Sequence, residues 1–470
     1  MATDSIQARL SQELEERDAF ELAFAEGMTY LDSLADRNVF PTYEALANLS
    51  VFDEELPIEP TAATEVVELL VRYGAPATTT QLGGRYFGFV TGGATPAGLA
   101  AKSLATYWDQ NSAMTVMSPV TARLEAIVES WLARLFGLPQ RTAVGFVSGT
   151  AVANFAGLAA GRYRLLQRLG WVVNAEGLFG APRLRVVTGE HAHSAVHRAI
   201  AMLGLGDAIV ERVPVDDQGR LIAAELPPLD DHCLVVLQAG NVNSGSFDPF
   251  EEVCVTAREA GAWIHIDGAF GLWVAAAPEL AHLTEGLGLA DSWATDGHKT
   301  LNTPYDSGVV MCRDREALAT AFSASGSYFV MSERRDGFLF TPDMSRRARV
   351  IELWATLKSL GTTGLDELVT GLHRRAVQFG REIAAKPGFE VLNDVVFNQV
   401  LVACEIDELT VATMRRVQEL RECWAGGSEW QGRAVIRVSV SWWMTTEEDI
   451  TRSVDSFEAA LDDVSGTPAP

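Results

Sequence analysis

The chain has 470 residues, enough for two or three domains and a large core. Its 48% hydrophobic and 21% charged residues indicate a globular protein and exclude a disordered or fibrous architecture. A net charge of −25 disfavours nucleic acid and anionic membrane surfaces as partners, because both require positive potential, and leaves a small molecule as the better partner.

Residues from Thr3 to about Ala35 are rich in Ala, Leu and Glu, with apolar positions three and four apart, and predict helix. Before them, Met1-Ala-Thr-Asp-Ser-Ile-Gln7 lacks a basic stretch followed by an apolar one, so no signal peptide is expected. The acidic, proline-punctuated segment through Val51-Phe-Asp-Glu-Glu-Leu-Pro57 reads as an arm that needs another surface, such as a second subunit, to pack on. Gly83-Gly-Arg-Tyr-Phe-Gly-Phe-Val-Thr-Gly-Gly93 then interleaves three aromatics with five glycines, which suits either a ligand-facing loop or an aromatic cluster under a turn. Arg85 within it reads as a surface arginine, with contact to an acidic substrate side chain as the other reading.

Pro119 to about Phe136 carries Leu124, Ile127, Val128, Trp131, Leu132 and Leu135 at helical spacing and predicts a core-facing helix. Ser148-Gly149-Thr150 turns directly into a long Ala-rich helix. The unpaired N–H groups of such a positive helix start suit a phosphate, although any Ser- or Thr-capped helix has the same pattern. From Arg183 onward, strands over 184–188, 208–213, 233–237, 263–266 and 308–312 alternate with helices over 191–203 and 250–260, which predicts an α/β domain with a largely parallel sheet. Ligands of such sheets lie beyond the carboxyl ends of the strands, a rule that selects Thr188-Gly-Glu-His-Ala-His193, Gln238-Ala-Gly-Asn-Val-Asn243 and Asp267-Gly-Ala-Phe270. After about Gly361, a helix over 365–384, a turn at Pro387-Gly388 and strands over 396–404 and 434–440 predict a smaller α/β domain, with a disordered tail at Gly466-Thr-Pro-Ala-Pro470.

Five scattered cysteines, Cys233, Cys254, Cys312, Cys404 and Cys423, lack Cys-x-x-Cys spacing and read as buried reduced thiols of a cytoplasmic protein. No disulfide frame or metal site is expected, and no window of about 18 residues is apolar enough to cross a membrane.

In Asp291-Ser-Trp-Ala-Thr-Asp-Gly-His-Lys-Thr300, Lys299 stands behind His298 between apolar segments. Alone it could be a snorkelling surface lysine. With the strand-end Asp267 and the helix start at Thr150 it supplies what a phosphorylated pyridine aldehyde needs: an amine for a Schiff base, a carboxylate that keeps the ring nitrogen protonated and a seat for the phosphate. These are the requirements of pyridoxal 5′-phosphate.

Four motifs then occur in order: His191-Ala-His-Ser-Ala-Val-His-Arg-Ala199, Gly240-Asn-Val-Asn-Ser-Gly-Ser-Phe-Asp248, Trp263-Ile-His-Ile-Asp-Gly-Ala-Phe270 and Ala290-Asp-Ser-Trp-Ala-Thr-Asp-Gly-His-Lys299. Together with Ser118-Pro119, Leu124-Glu125 and Ser345-Arg-Arg-Ala-Arg349, they resemble the group II pyridoxal-phosphate-dependent amino-acid decarboxylases, the family of the aromatic-L-amino-acid, glutamate, histidine and tyrosine decarboxylases. The resemblance covers residues 60 to 360 strongly. It implies a type I, aspartate-aminotransferase-like α/β fold with a helical arm over 1–100 that packs on a partner subunit, a large cofactor-binding domain with a mostly parallel sheet over 101–361, a small C-terminal α/β domain over 362–464 and a tail over 465–470. It also implies a homodimer with a shared active site and conversion of an L-amino acid to its amine and carbon dioxide. Another outcome on the same cofactor, as in an aminotransferase, a lyase or a decarboxylating aldehyde synthase, is the alternative, and a non-catalytic protein that retains the fold is a further one.

By the same resemblance, Lys299 is the Schiff-base lysine and His298 contacts the phosphate or the region around the lysine. Asp267 partners the pyridine nitrogen, and His193 stacks on the ring, whereas His191 and His197 read as solvated or hydrogen-bonded neighbours. Gly149, Thr150 and Ala151 hold the phosphate, and Asn243 and Ala269 are further cofactor contacts. Tyr328, in Ser325-Gly-Ser-Tyr-Phe-Val-Met-Ser332, corresponds to a lid tyrosine that returns a proton to the substrate carbon; it favours decarboxylation over oxidation, while a ring packed in its own loop is the other reading. The polar Glu333-Arg-Arg-Asp336 after it predicts an exposed, movable loop. Thr300 stands where many members have tryptophan, Asn241-Val-Asn243 replaces a threonine-rich stretch, and Asn111-Ser-Ala-Met-Thr-Val-Met117 lacks the aromatics of an aromatic-amine producer, so the substrate stays open. Arg437, a carboxylate clamp only by analogy with aminotransferases, is left out of the site, since a decarboxylase gains nothing by neutralising the carboxylate it expels.

Overall fold

A computed structural model describes residues 5–323, 331 and 335–466. The arm forms two helices, α1 (Ile6–Glu16) and α2 (Asp18–Asp32), because Arg17 between them adopts a left-handed conformation at φ 65° and breaks the run expected over residues 3–35. Short α3 (Tyr43–Ala47) and α4 (Ala63–Leu69) lead to α5 (Pro96–Trp108) and α6 (Pro119–Leu135). Both of these open on proline, whose missing N–H is harmless in a first turn.

Seven strands form the central sheet: β1 (Ala143–Val147), β2 (Arg185–Gly189), β3 (Val210–Val213), β4 (Cys233–Gln238), β5 (Trp263–Asp267), β6 (Ser292–Asp296) and β7 (Gly308–Cys312). Their spatial order is β1-β7-β6-β5-β4-β2-β3; β7 runs against both its neighbours and the other adjacent pairs are parallel. Helices α7 (Thr150–Arg168), α8 (Val173–Glu176), α9 (Ser194–Met202), α10 (Phe250–Glu259) and α11 (Arg315–Ala321) connect and cover these strands. Every residue of β1, β4, β5, β6 and β7 is buried, as expected of a sheet covered on both faces.

Sequence pattern alone does not reveal β1 or β6. In β6 the polar Ser292, Thr295 and Asp296 mask the strand, yet all three are buried. Because β7 is the reversed strand, β1, β2, β4, β5 and β6 all point their carboxyl ends at one edge of the sheet. Ser148 to Thr150, the β2–α9 loop, the turn after β4, Asp267 and Asp296 are thereby gathered on that edge.

The long α12 (Val350–Ala384) is interrupted at Gly361, with φ 61° and ψ −170°. Beyond it, β8 (Glu390–Val391), β9 (Gln399–Ala403), β10 (Gly426–Trp430) and β11 (Arg433–Ser439) form an antiparallel sheet in the order β10-β11-β9-β8, packed with α13 (Asp407–Leu420) and α14 (Glu447–Ser465). All five cysteines are buried and unpaired, and among the described residues no helix is long and apolar enough to cross a membrane.

Candidate active site

Lys299 leaves the carboxyl end of β6 in a tight loop. The Gly297 N–H donates to the Ser307 carbonyl at 2.8 Å, and the Asn302 side chain donates to the Lys299 carbonyl at 3.0 Å. Lys299 Nζ lies 3.3 Å from Asp296 Oδ2, and the other oxygen of Asp296 accepts the Thr150 N–H at 2.7 Å, so the last residue of β6 joins the lysine to the start of α7. His298 Nδ1 accepts the Ser307 N–H at 3.1 Å, which leaves the ring proton on Nε2, 3.5 Å from the same Asp296 carboxylate. Burial pushes the His298 pKa down against the opposing pull of Asp296, so this neutral tautomer is the form at physiological pH. Tyr305 stacks on the His298 ring at 4.2 Å between centroids.

Asp267, the last residue of β5, is buried with an ordered donor at each oxygen. Asn154 Nδ2 donates to Oδ2 at 2.9 Å and the Ala269 N–H to Oδ1 at 3.2 Å. Ala269 also accepts the Asp296 N–H through its carbonyl at 2.9 Å, which ties the Asp267 turn to the lysine loop. Thr300 adds a second tie by donating to the Phe270 carbonyl at 2.7 Å, a contact that gives this threonine a structural role.

His193 caps α9, its Nδ1 accepting the Ala195 N–H at 3.2 Å. Burial lowers its pKa first, and the charges of Asp267, Lys299, Arg437 and Asp296 all act on it, so these five groups share one neighbourhood. A cavity of about 530 Å³ is lined by His193, Asn243 and Arg437 together with Ser428 and Trp430 of the small sheet. Asn243 belongs to that wall, and its amide is engaged with β10 through Ser428 Oγ at 2.8 Å and the Glu429 carbonyl at 3.4 Å. Arg437, excluded by sequence reasoning, stands in the same wall; it donates to the Val242 carbonyl at 3.0 Å and has no carboxylate partner among the described residues. His197 pairs with Asp207 at 2.5 Å and is accounted for outside the lysine cluster, whereas His191 lines the same cavity as His193, packs edge-on against Trp430 and keeps Nδ1 buried without a hydrogen-bond partner among the described residues.

The glycine-rich segment runs directly behind the lysine. The Gly92 N–H donates to the His298 carbonyl at 3.2 Å, and a Cβ on Gly92 would lie 1.7 Å from the Lys299 carbonyl oxygen. Arg85 in the same segment is 5% exposed and spent on Asp449 at 2.9 Å and Glu422 at 3.2 Å. It is neither the surface arginine expected nor available to a substrate. The Glu333–Asp336 stretch also departs from the exposed loop expected, at least at its described end. Asp336 is buried and accepts the Thr115 N–H at 2.8 Å, while Arg335 bonds Glu125 at 2.9 Å and pairs with Glu129. Tyr328 lies outside the described residues.

Two site residues escape sequence reasoning for different reasons. Asp296 follows the strand-end rule, but its strand is too polar to recognise. Asn154 carries no motif of its own and gains its meaning only from the contact with Asp267.

A sheet edge that collects a lysine amine, a donor-supported carboxylate and the start of a 19-residue helix is the architecture of a type I pyridoxal-phosphate fold. The residues fit that cofactor. Thr150 Oγ1 is buried without a partner among the described residues at the helix start, ready for a phosphate oxygen, and Asp267 stands ready for a ring nitrogen. Comparison with known proteins agrees: the pyridoxal-dependent decarboxylase conserved domain matches residues 45–404, and the chain belongs to that family. The acidic amino acid decarboxylase GADL1 of Mus musculus is 26% identical over 330 residues, 67% of this chain and 59% of the relative, so the chain spans about three fifths of that relative's length. The aromatic-L-amino-acid decarboxylase of Rattus norvegicus is 23% identical over 436 residues, covering 87% of this chain and 90% of the relative. In fold, the crystal structure of mouse CSAD superposes with a TM-score of 0.87 at 21% identity, over 97% of this chain and 99% of that one.

Proposed function

We propose that the protein decarboxylates an L-amino acid to the corresponding amine and carbon dioxide, using pyridoxal 5′-phosphate held at the β-sheet edge around Lys299. The observation that carries this reading is the joining of Lys299, Asp296 and the start of α7 on the edge that also bears the buried, donor-supported Asp267. When bound, the cofactor supplies an electron sink for the pair left by the departing carbon dioxide. Lys299 offers the amine that anchors the cofactor's aldehyde. The Gly149–Ala151 turn, Thr150 Oγ1 and the His298 Nε2–H take the phosphate, and Asp267 keeps a proton on the ring nitrogen. His193, its ring held by the bond to Ala195, presents a face for stacking, with Asn243 in the same cavity wall and Ala269 as a further cofactor contact. Tyr328, by its match to the family's lid tyrosine, returns the proton to the substrate carbon.

The domain limits expected from the sequence, a cytoplasmic location and a homodimer with a shared site belong to the same proposal. Five buried, unpaired thiols support a reducing compartment. Carbon dioxide release from a panel of aromatic, acidic and branched L-amino acids tests the function. The expected result is amine and carbon dioxide in equal amounts, without ammonia or peroxide, and an absorbance band near the visible edge that Lys299→Ala abolishes. A colourless protein that takes up no cofactor, or an aldehyde as product, would overturn the reading.

A further inference from the structure

Behind Asp267 runs a chain of buried side chains with no assigned role. Strand alternation places Trp263, His265 and Asp267 on the same face of β5, and α7 packs on that face through its small residues. A Cβ on Gly157 would lie 2.7 Å from the His265 ring and one on Gly161 2.7 Å from the Trp263 ring, so only glycine allows this approach. The close packing brings Asn154, one turn into α7, between His265 and Asp267. Asn154 Nδ2 donates to Asp267 at 2.9 Å, Asn154 Oδ1 meets His265 Nε2 at 2.9 Å, His265 Nδ1 meets Ser292 Oγ at 2.8 Å, and Trp263 Nε1 donates to Ser292 Oγ at 3.0 Å. Asn154, His265 and Ser292 are fully buried.

The direction of every hydrogen bond in this chain follows from its ends. An ionised carboxylate only accepts, so the amide of Asn154 turns its nitrogen to Asp267 and its oxygen to His265. His265 Nε2 must then carry the ring proton, which leaves Nδ1 bare to accept from the Ser292 hydroxyl. At the far end an indole N–H only donates, so Ser292 Oγ accepts from Trp263 and has its own proton free for His265. The Asp267 end sets this polarity, and the Trp263 end is compatible with it. The polarity requires a neutral imidazole, and burial pushes the His265 pKa down to about 3.

We propose that Asn154, His265, Ser292 and Trp263 form a one-way hydrogen-bond chain that fixes the orientation of the Asp267 carboxylate, making Asn154 the positioning residue for the interaction between Asp267 and a pyridine nitrogen. The chain also links the two ends of the cofactor site. Asn154 is four residues from Thr150 on one helix, so the phosphate turn and the residue that positions Asp267 ride on a single rigid element with a rise of about 6 Å between them.

This inference rests on the pyridoxal-phosphate reading, and a binding measurement separates the two. The dissociation constants of pyridoxal 5′-phosphate and of its 1-deaza analogue, in which a carbon replaces the ring nitrogen, are measured by dialysis and fluorescence for the wild-type full chain and for Asn154→Leu. The wild type should prefer the pyridine by about tenfold or more, as expected of a hydrogen bond to a charged group. Asn154→Leu should lose most of that preference through weaker pyridine binding, with the deaza analogue bound as before. Ser292→Ala, a smaller change, should move the preference in the same direction and serves if Asn154→Leu fails to fold. An unchanged preference in both variants, or an equal loss of affinity for both ligands, overturns the chain's role while leaving the cofactor reading intact. A wild type that binds both equally overturns the proposal while leaving the cofactor reading intact, and one that binds neither ligand overturns the cofactor reading and the proposal with it.

Discussion

His265 shows how much one buried side chain can set at this site. With its pKa held near 3 by complete burial, it stays neutral in the folded protein, whereas in the unfolded chain it takes up a proton near pH 6.5. The unfolded state therefore binds more protons between these values. The contribution of His265 to stability is fully present above pH 6.5 and is lost as pH falls towards 3. Between pH 7 and pH 5 the loss should be about 2 kcal/mol, a window in which few carboxylates titrate. Urea unfolding of the wild type and of His265→Asn at both pH values checks this, since the variant should lack that part of the slope. Equal pH dependence in the two proteins would show that His265 is not the titrating group. Asp296 carries the opposite lesson. It is 2% exposed and remains polar because Thr150, His298 and Lys299 all converge on it.

At the scale of elements, legibility depended on whether the pattern of a strand or helix matched its burial. The apolar strands β4 and β7 were readable as such, and β5 disclosed both its strand period and its terminal Asp267. The small-residue start of α7 also stood out. β6 did not, because Ser292 and Asp296 are buried on tertiary partners that no local pattern reveals and Thr295 is buried beside them, and with it went the recognition of Asp296 as the residue joining Lys299 to α7. The segment Gly83–Gly93 remained ambiguous for a related reason: its glycines serve close approach to other parts of the chain, which only the fold defines. Arg437 was lost to a chemical argument about the departing carboxylate that ignored its place in the cavity wall beside His193. Gly92 offers a test at this scale. Its N–H bonds the His298 carbonyl, and a Cβ would collide with backbone at Lys299, not with a side chain that can turn away. Gly92→Ala should therefore displace the lysine loop and lower cofactor affinity by about tenfold or more, while costing about 1–3 kcal/mol of stability. Cofactor titration and thermal unfolding read the two effects separately. Unaltered cofactor affinity in Gly92→Ala would mean that the Lys299 loop does not depend on this approach.

At the scale of the whole molecule, the arm presents a problem that a single chain does not solve. α1 and α2 contain no buried residue, yet Ile6, Leu10 and Leu14 recur every fourth position along one face of α1, and Leu14 and Phe24 are each 65% exposed. Nearby, Phe20 approaches Tyr107 on α5, which is itself exposed, so the apolar surface is continuous from the arm onto the body. A stripe of this kind is stable in water only when covered, and a second copy of the chain, brought in by its own arm, is the cover proposed above. Each subunit carries a net charge of −25, so two copies repel at long range while their apolar faces attract at contact. Dimerisation should therefore strengthen as salt screens the repulsion, the reverse of an interface held by ion pairs. The double variant Leu14→Asp/Phe24→Asp should sediment as a folded monomer with reduced cofactor affinity, whereas the wild type should sediment as a dimer that tightens with added salt. A wild type that stays monomeric at micromolar concentration, or a double variant that dimerises as well as the wild type, would rule out the arm as the subunit contact.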